Sequence, residues 1–364
     1  MLRNNKILEN IPTIESELFN AFLKTELINE NEFENPQIMR FQRAARTDKG
    51  VSAIKQIISM NISTDFPLLI PKINEILPSK IRVLGAKRAT KYFDCKNFCD
   101  ARTYSYLLPT FAICPVDQIT SEDFRISDET IKEFNNVLKI YEGTHNFHNF
   151  TSQKKPTDSS AKRYIISFEC SGPFLLGDDK KLEFVVARIK GQSFMLHQIR
   201  KMIGIAIAIM RGFVDKSFIE RSFGYERLDI PIAPGLGLLL EEVHYEKYNR
   251  KYGGDGIHEP ILWDEYGDEV QKFKETHIYS HMVKVELDEK SMFNWLSTLP
   301  FHTFDVREPS GHDPIRNKGA IMEAFMNSQT VKSDNEINVQ KRSIDNKIQD
   351  EIETTEKKIK IVQI

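Results

Sequence analysis

Asp100-Ala101-Arg102-Thr103-Tyr104-Ser105-Tyr106-Leu107-Leu108 is the stretch on which the fold turns. Its character alternates, putting Arg102, Tyr104 and Tyr106 on one face and Ala101, Thr103, Ser105 and Leu107 on the other, as successive side chains of a β-strand must. Ile- and Val-rich stretches at 53–63 and 80–90, with 164–170 and 182–190, predict further strands. Four helices are predicted around them. Thr13 caps 13–24, whose Ile14, Leu18, Ala21 and Phe22 share a face, and Ile131, Phe134, Leu138 and Tyr141 line one side of 127–141. Ser193 caps 194–210, which Gly212 ends, and Asp288 opens the last. Many strands, few helices and no regular βαβ alternation predict an α+β fold around a mostly antiparallel sheet.

The 364 residues, 40% hydrophobic and 28% charged, are globular in composition and too apolar for wholesale disorder. At about 150 residues per domain, the length predicts roughly two domains. Cys95, Cys99, Cys114 and Cys170 include no C-x-x-C pair and no disulfide framework. The longest apolar run, Ile203–Met210, falls short of the ~20 residues a bilayer requires. Residues 1–24 show neither a secretory core nor an acid-poor transit pattern, so the expected compartment is reducing and intracellular. From Val306 the chain has one aromatic residue, Phe325, among polar runs, and predicts a disordered tail over 306–364.

The net charge of −2 argues, taken whole, against a nucleic-acid binder, but its distribution argues the other way. Residues 37–110 carry +8 and 143–213 carry +6, while 1–36, 111–142 and 214–305 carry −4, −4 and −8. Two basic blocks divided by acidic sequence predict a polyanion-binding surface assembled from distant segments.

Three segments carry candidate chemistry. In Arg43-Ala44-Ala45-Arg46-Thr47-Asp48-Lys49-Gly50-Val51-Ser52, one Asp lies among three cations beside a turn-permitting Gly. The same residues also read as a solvated turn. Arg102, Tyr104 and Tyr106 suit either a stacking platform for a base or a half-buried strand face. On the helix of Gly191-Gln192-Ser193-Phe194-Met195-Leu196-His197-Gln198-Ile199-Arg200-Lys201-Met202-Ile203-Gly204, the residues His197, Arg200, Lys201 and Gly204 form one polar or small stripe, which also reads as a solvated face. His145 and His148 lie at i, i+3 without carboxylate partners, so no metal site is expected.

Together RTDKGVS, ARTYSY, GTHNFHNF, GQSFMLHQIRKMIG and APGLGLLLEEV resemble, in order and spacing, the TruA family of tRNA pseudouridine synthases. FQRAARTDKGVSA, KNFCDARTYSYLLPTF, HEPILW and WLSTLP are similar to its eukaryotic multi-site branch. The resemblance spans about Met1 to Phe304 and implies the pseudouridine synthase fold: two related halves with flanking helices around a central basic cleft. It divides the chain into an N-terminal catalytic half (1–110) and a C-terminal half with a helical extension (111–305). The resemblance implies a strand before the family's Arg-Asn, matched by Arg3-Asn4, and the sequence starts at about that Arg-Asn. The resemblance makes Asp48 the catalytic carboxylate, as nucleophile or as proton acceptor, and Arg200 its partner. Tyr104 becomes the active-site tyrosine, catalytic and base-contacting, and Arg46 fills the space left by a flipped nucleotide. Arg43, Lys49 and Lys201, with Lys87, Arg88, Lys162 and Arg163, are candidate RNA contacts. No cofactor or metal is implied. The implied partners are tRNA and, beyond it, messenger and small nuclear RNA, with no membrane. A monomer in the nucleus is expected, the mitochondrion being the alternative. The rival reading is an RNA-binding protein without activity, which the intact Asp48, Tyr104 and Arg200 oppose.

Overall fold

The computed structural model describes residues 13–62, 66–116, 124–152, 154–177 and 182–307. The Arg3-Asn4 match and the sequence from 308 onward lie outside the described residues. Helix α1 (Ile14–Lys24) starts as its sequence dictates: the Thr13 hydroxyl accepts from the Ser16 N–H, and the Ser16 hydroxyl accepts from the Thr13 N–H. Its buried face is Phe19, Ala21 and Phe22, whereas Ile14, expected on that face, is 69% exposed in the first turn. These residues join Leu27, Ile28, Met39, Ile73 and Leu77 in a small N-terminal core. Around it lie α2 (Glu30–Glu34), α3 (Ile70–Ile76) and the two-residue strands β1 (Gln42–Arg43), β2 (Ser52–Ala53) and β3 (Ile58–Ser59), of which β1 and β3 pair.

The strands expected over 53–63 and 80–90 are therefore corrected: the first is reduced to two short ladders and the second is irregular. At Val83 in the second, a side chain stands in for a neighbouring strand. Asn74 donates to the Val83 carbonyl and accepts from the Val83 N–H, both at 2.8 Å, taking the groups a ladder would use.

The main sheet is built from β2, β4 (Ala101–Pro109), β5 (Gly143–Asn146), β6 (Lys162–Cys170), β7 (Phe174–Leu176), β8 (Leu182–Gly191) and β9 (Leu238–His244). Its order is β2-β9-β4-β8-β6-β5, with β7 also on β8. Every pairing is antiparallel except β2 with β9. The deciding stretch is the centre of this sheet: β4 lies between β8 and β9, and of its nine residues only Arg102 escapes full burial. The fold is α+β, with helices against the sheet. Helix α4 (Asp128–Lys139) packs on β6 and on α5 (Gln198–Met210), and α5 is buried over Gln198, Ile199 and Lys201 to Ala208.

Two helix starts differ from expectation. α5 begins at Gln198, because His197 sits in the left-handed region (φ 62) and a helix cannot run through it; Ser193 therefore caps nothing. After α6 (Ser217–Ser222), α7 (Glu246–Tyr252) and α8 (Gly267–Phe273), α9 (Ser280–Glu289) runs through Asp288 and breaks at Lys290 (φ 50). The last helix, α10 (Ser291–Leu296), starts there, with the Met292 N–H bound by the Glu286 carboxylate. No helix among the described residues is long and apolar enough to cross a membrane.

Candidate active site

Asp48 lies in the loop between β1 and β2, and three side chains or strands fix that loop. The Ala44 N–H donates to the Ile57 carbonyl at 2.9 Å. Gln56 brackets Ala45, accepting from its N–H at 3.2 Å and donating to its carbonyl at 2.9 Å. From β4, Arg102 donates to the Ala44 carbonyl through Nε (3.2 Å) and Nη2 (2.6 Å), and to the Gln192 carbonyl through Nη1 (3.3 Å). One guanidinium thus ties the Asp48 loop and the turn before α5 to the central strand. The Val51 N–H closes onto the Asp48 carbonyl at 3.1 Å, around Gly50 at φ +82. The chain then enters the main sheet as β2.

This brings Asp48 to α5. Arg200 Nη1 stands 3.5 Å and His197 Nε2 3.6 Å from Asp48 Oδ2. Arg200 is itself aimed by Nε, which donates to the Ala233 carbonyl at 2.7 Å. The side chains of Asp48 and Arg200 remain 20% and 19% exposed, so the pair lines a surface open to a substrate. Burial lowers the His197 pKa; Asp48 opposes this, while Arg200 and Lys201 reinforce it.

Tyr104, on β4, is buried, with its ring edge-on to Phe194 at 5.3 Å and 82°. Burial pushes its phenol up to about 12, with Asp48 among the lesser contributors, so the hydroxyl stays neutral at working pH. Tyr106, on the same strand, is core: its hydroxyl donates to the Pro234 carbonyl at 2.7 Å.

The structure therefore brings Asp48 and Arg200 together from distant segments, with Tyr104 within range of the Asp48 charge and Arg46 and Lys49 exposed on the same loop. Two of the expected RNA contacts are engaged within the protein itself. Lys201 is buried, and its ammonium donates to the Asn149 carbonyl at 2.8 Å, because α5 turns it into the 147–150 turn rather than toward solvent. Arg43 is ion-paired with Glu15 at 2.5 Å and lies over the Phe41 ring. Lys87 pairs with Glu265 at 2.8 Å and lies over Trp263, while Arg88 and Lys162 are exposed and Arg163 is half-buried. His145 bonds the Glu142 carbonyl at 2.7 Å and stacks on Phe223. No group of three or more His, Cys, Asp or Glu suited to a metal occurs among the described residues.

Sequence reasoning missed the anchoring roles of Gln56 and Arg102, and His197 as a neighbour of Asp48. Arg102 carried a signal, being the one charged residue of an otherwise buried strand. Gln56 carried none.

The family profile described as tRNA pseudouridine synthase matches residues 137–246, which include α5 and Arg200. The chain is 53% identical to the human protein named "Pseudouridylate synthase 1 homolog", over 81% of this chain and 68% of that one. It is 32% identical to "tRNA pseudouridine synthase 1" of Yarrowia lipolytica (89% and 76% of the two chains). It is 33% identical to the protein of that name from Eremothecium gossypii (86% and 74%).

Proposed function

The chain belongs to the tRNA pseudouridine synthase family, and from that premise we propose that it isomerises uridine to pseudouridine within tRNA, with Asp48 as the catalytic carboxylate. The reaction breaks the C1′–N1 bond, turns the uracil and joins C1′ to C5. The C5 proton leaves and N1 gains one, so no atom or electron is lost. This chemistry requires a carboxylate at the ribose and a base taken out of its stack. One observation carries the assignment: Arg200 converges on Asp48 across 152 residues of sequence, at 3.5 Å.

In this reading Arg200 orients the carboxylate, its guanidinium fixed by Ala233. Tyr104 offers ring area to the target base, and its neutral hydroxyl donates a hydrogen bond rather than accepting the C5 proton. Arg46, exposed at the rim of the loop, enters the space left by the flipped nucleotide. Lys49 contacts phosphate. Extension to messenger and small nuclear RNA, a monomeric state and nuclear residence rest on the resemblance to the eukaryotic multi-site branch.

The test is purified protein with uridine-labelled tRNA. Asp48→Asn is expected to abolish pseudouridine formation while tRNA binding persists; an unchanged yield overturns the assignment.

A further inference from the structure

We propose that His197 is a positioning residue for Asp48: with Arg200 it holds one carboxylate oxygen, Oδ2, and leaves Oδ1 to face the ribose. The inference rests on the function proposed above and goes on to say which oxygen of the carboxylate reacts.

Two independent observations carry it. The first is convergence on a single atom. Arg200 Nη1 and His197 Nε2 both approach Oδ2, at 3.5 and 3.6 Å, while Oδ1 has no hydrogen-bond or ion-pair partner among the described residues. A carboxylate gripped at one oxygen presents the other in a defined direction. These separations are longer than good hydrogen bonds, as is common before substrate closes a site.

The second observation is the backbone. His197 adopts φ 62 and ψ 3, a left-handed conformation rare for a residue with a Cβ, at the N-cap of α5. An N-cap side chain ordinarily bonds the first helical N–H groups, and that of His197 makes no such bond. Its carbonyl accepts from the Lys201 N–H at 3.0 Å, which locks the backbone into the helix, and the imidazole is turned to Asp48 instead. The strained conformation thus serves no cap. It aims a ring at the carboxylate, the setting in which such strain recurs.

The surroundings suit a neutral donor. Burial, with lesser help from Arg200 and Lys201, favours the uncharged ring against the opposing pull of Asp48, and the ring then presents one N–H to Oδ2.

The experiment is His197→Gly, which removes the imidazole at a position where glycine is unstrained. Melting temperature is expected to match or exceed the starting value, and tRNA affinity and KM are expected to stay unchanged. kcat for pseudouridine formation is expected to fall roughly tenfold, less than the loss that follows removal of a group that itself transfers the proton, and added imidazole is expected to restore part of it. Unchanged kcat overturns the proposal, as does a loss shared by kcat, tRNA affinity and melting temperature, or a loss of kcat that imidazole leaves untouched. Asp48→Asn in the same assay separates the two readings. If Asp48→Asn is inactive and His197→Gly is normal, only the role of His197 fails. If Asp48→Asn turns over fully, the function proposed for the site fails.

Discussion

His148 shows what burial does to a histidine in this chain. It is fully buried, its Nε2 lies 3.3 Å from the Glu226 carbonyl, and its Nδ1 has no hydrogen-bond partner among the described residues. Burial lowers its pKa, as it does for His197 and His244. The folded form therefore binds fewer protons than the unfolded chain, whose histidines titrate near about 6.5. Their contribution to stability is complete above that pH and is lost as pH falls from it through the lower folded values. Melting temperature measured from pH 8 to pH 5 is expected to drop below about pH 6.5, and to drop less in His148→Leu; a flat profile contradicts this. Residue identity was most legible where chemistry is local. Local pattern singled out Asp48, Tyr104 and Arg200 as candidates, and the resemblance to the family supplied their roles. Lys201 could not be placed, because whether a lysine one position after Arg200 meets water or the Asn149 carbonyl depends on how α5 seats against a turn fifty residues earlier in the chain.

At the scale of elements, α5 is the informative case. Its apolar period was readable from Ile199 onward, but its start was not. The helix begins at Gln198 because His197 takes a left-handed backbone, which no pattern of hydrophobic residues announces. In the irregular 80–90 segment strand propensity was present, but at Val83 Asn74 rather than a strand supplied the hydrogen bonds. Gly204 marks a close approach within α5. A Cβ there would stand 2.7 Å from the Pro231 carbonyl oxygen and 3.3 Å from its carbon, backbone atoms that cannot swing aside. Gly204→Ala is expected to destabilise the protein by about 1–3 kcal/mol, read as a lower melting temperature, in spite of alanine's better helix propensity. An unchanged or raised melting temperature would show that the Pro231 segment yields.

Over the whole molecule, the basic blocks proved partly internal. Arg43, Lys55 and Lys87 of the first block are paired with Glu15, Glu242 and Glu265, and Lys201 of the second is buried. The charge left for RNA is smaller than the +8 and +6 counted along the chain, and sequence cannot make that subtraction because the partners come from other segments. A paired measurement separates the two kinds of lysine. Lys49→Gln is expected to reduce the slope of log affinity for tRNA against log salt by about 0.7–0.9 with melting temperature unchanged. Lys201→Met is expected to lower melting temperature and leave the slope in place; the reverse result would return Lys201 to the RNA surface.

The parallel ladder between β2 and β9 has a consequence for synthesis. Ser52 and Ala53 register with Leu239 and Leu240, and the Ile54 N–H donates to the Leu240 carbonyl at 2.9 Å, so the loop bearing Asp48 is anchored to chain made 187 residues later. At about 5–20 residues per second, the ribosome takes roughly ten to forty seconds to cover that interval. During it the carboxylate exists without its anchor, and for most of it without Arg200. Until β9 has left the exit tunnel, the loop bearing Asp48 lacks the ladder that joins it to the main sheet.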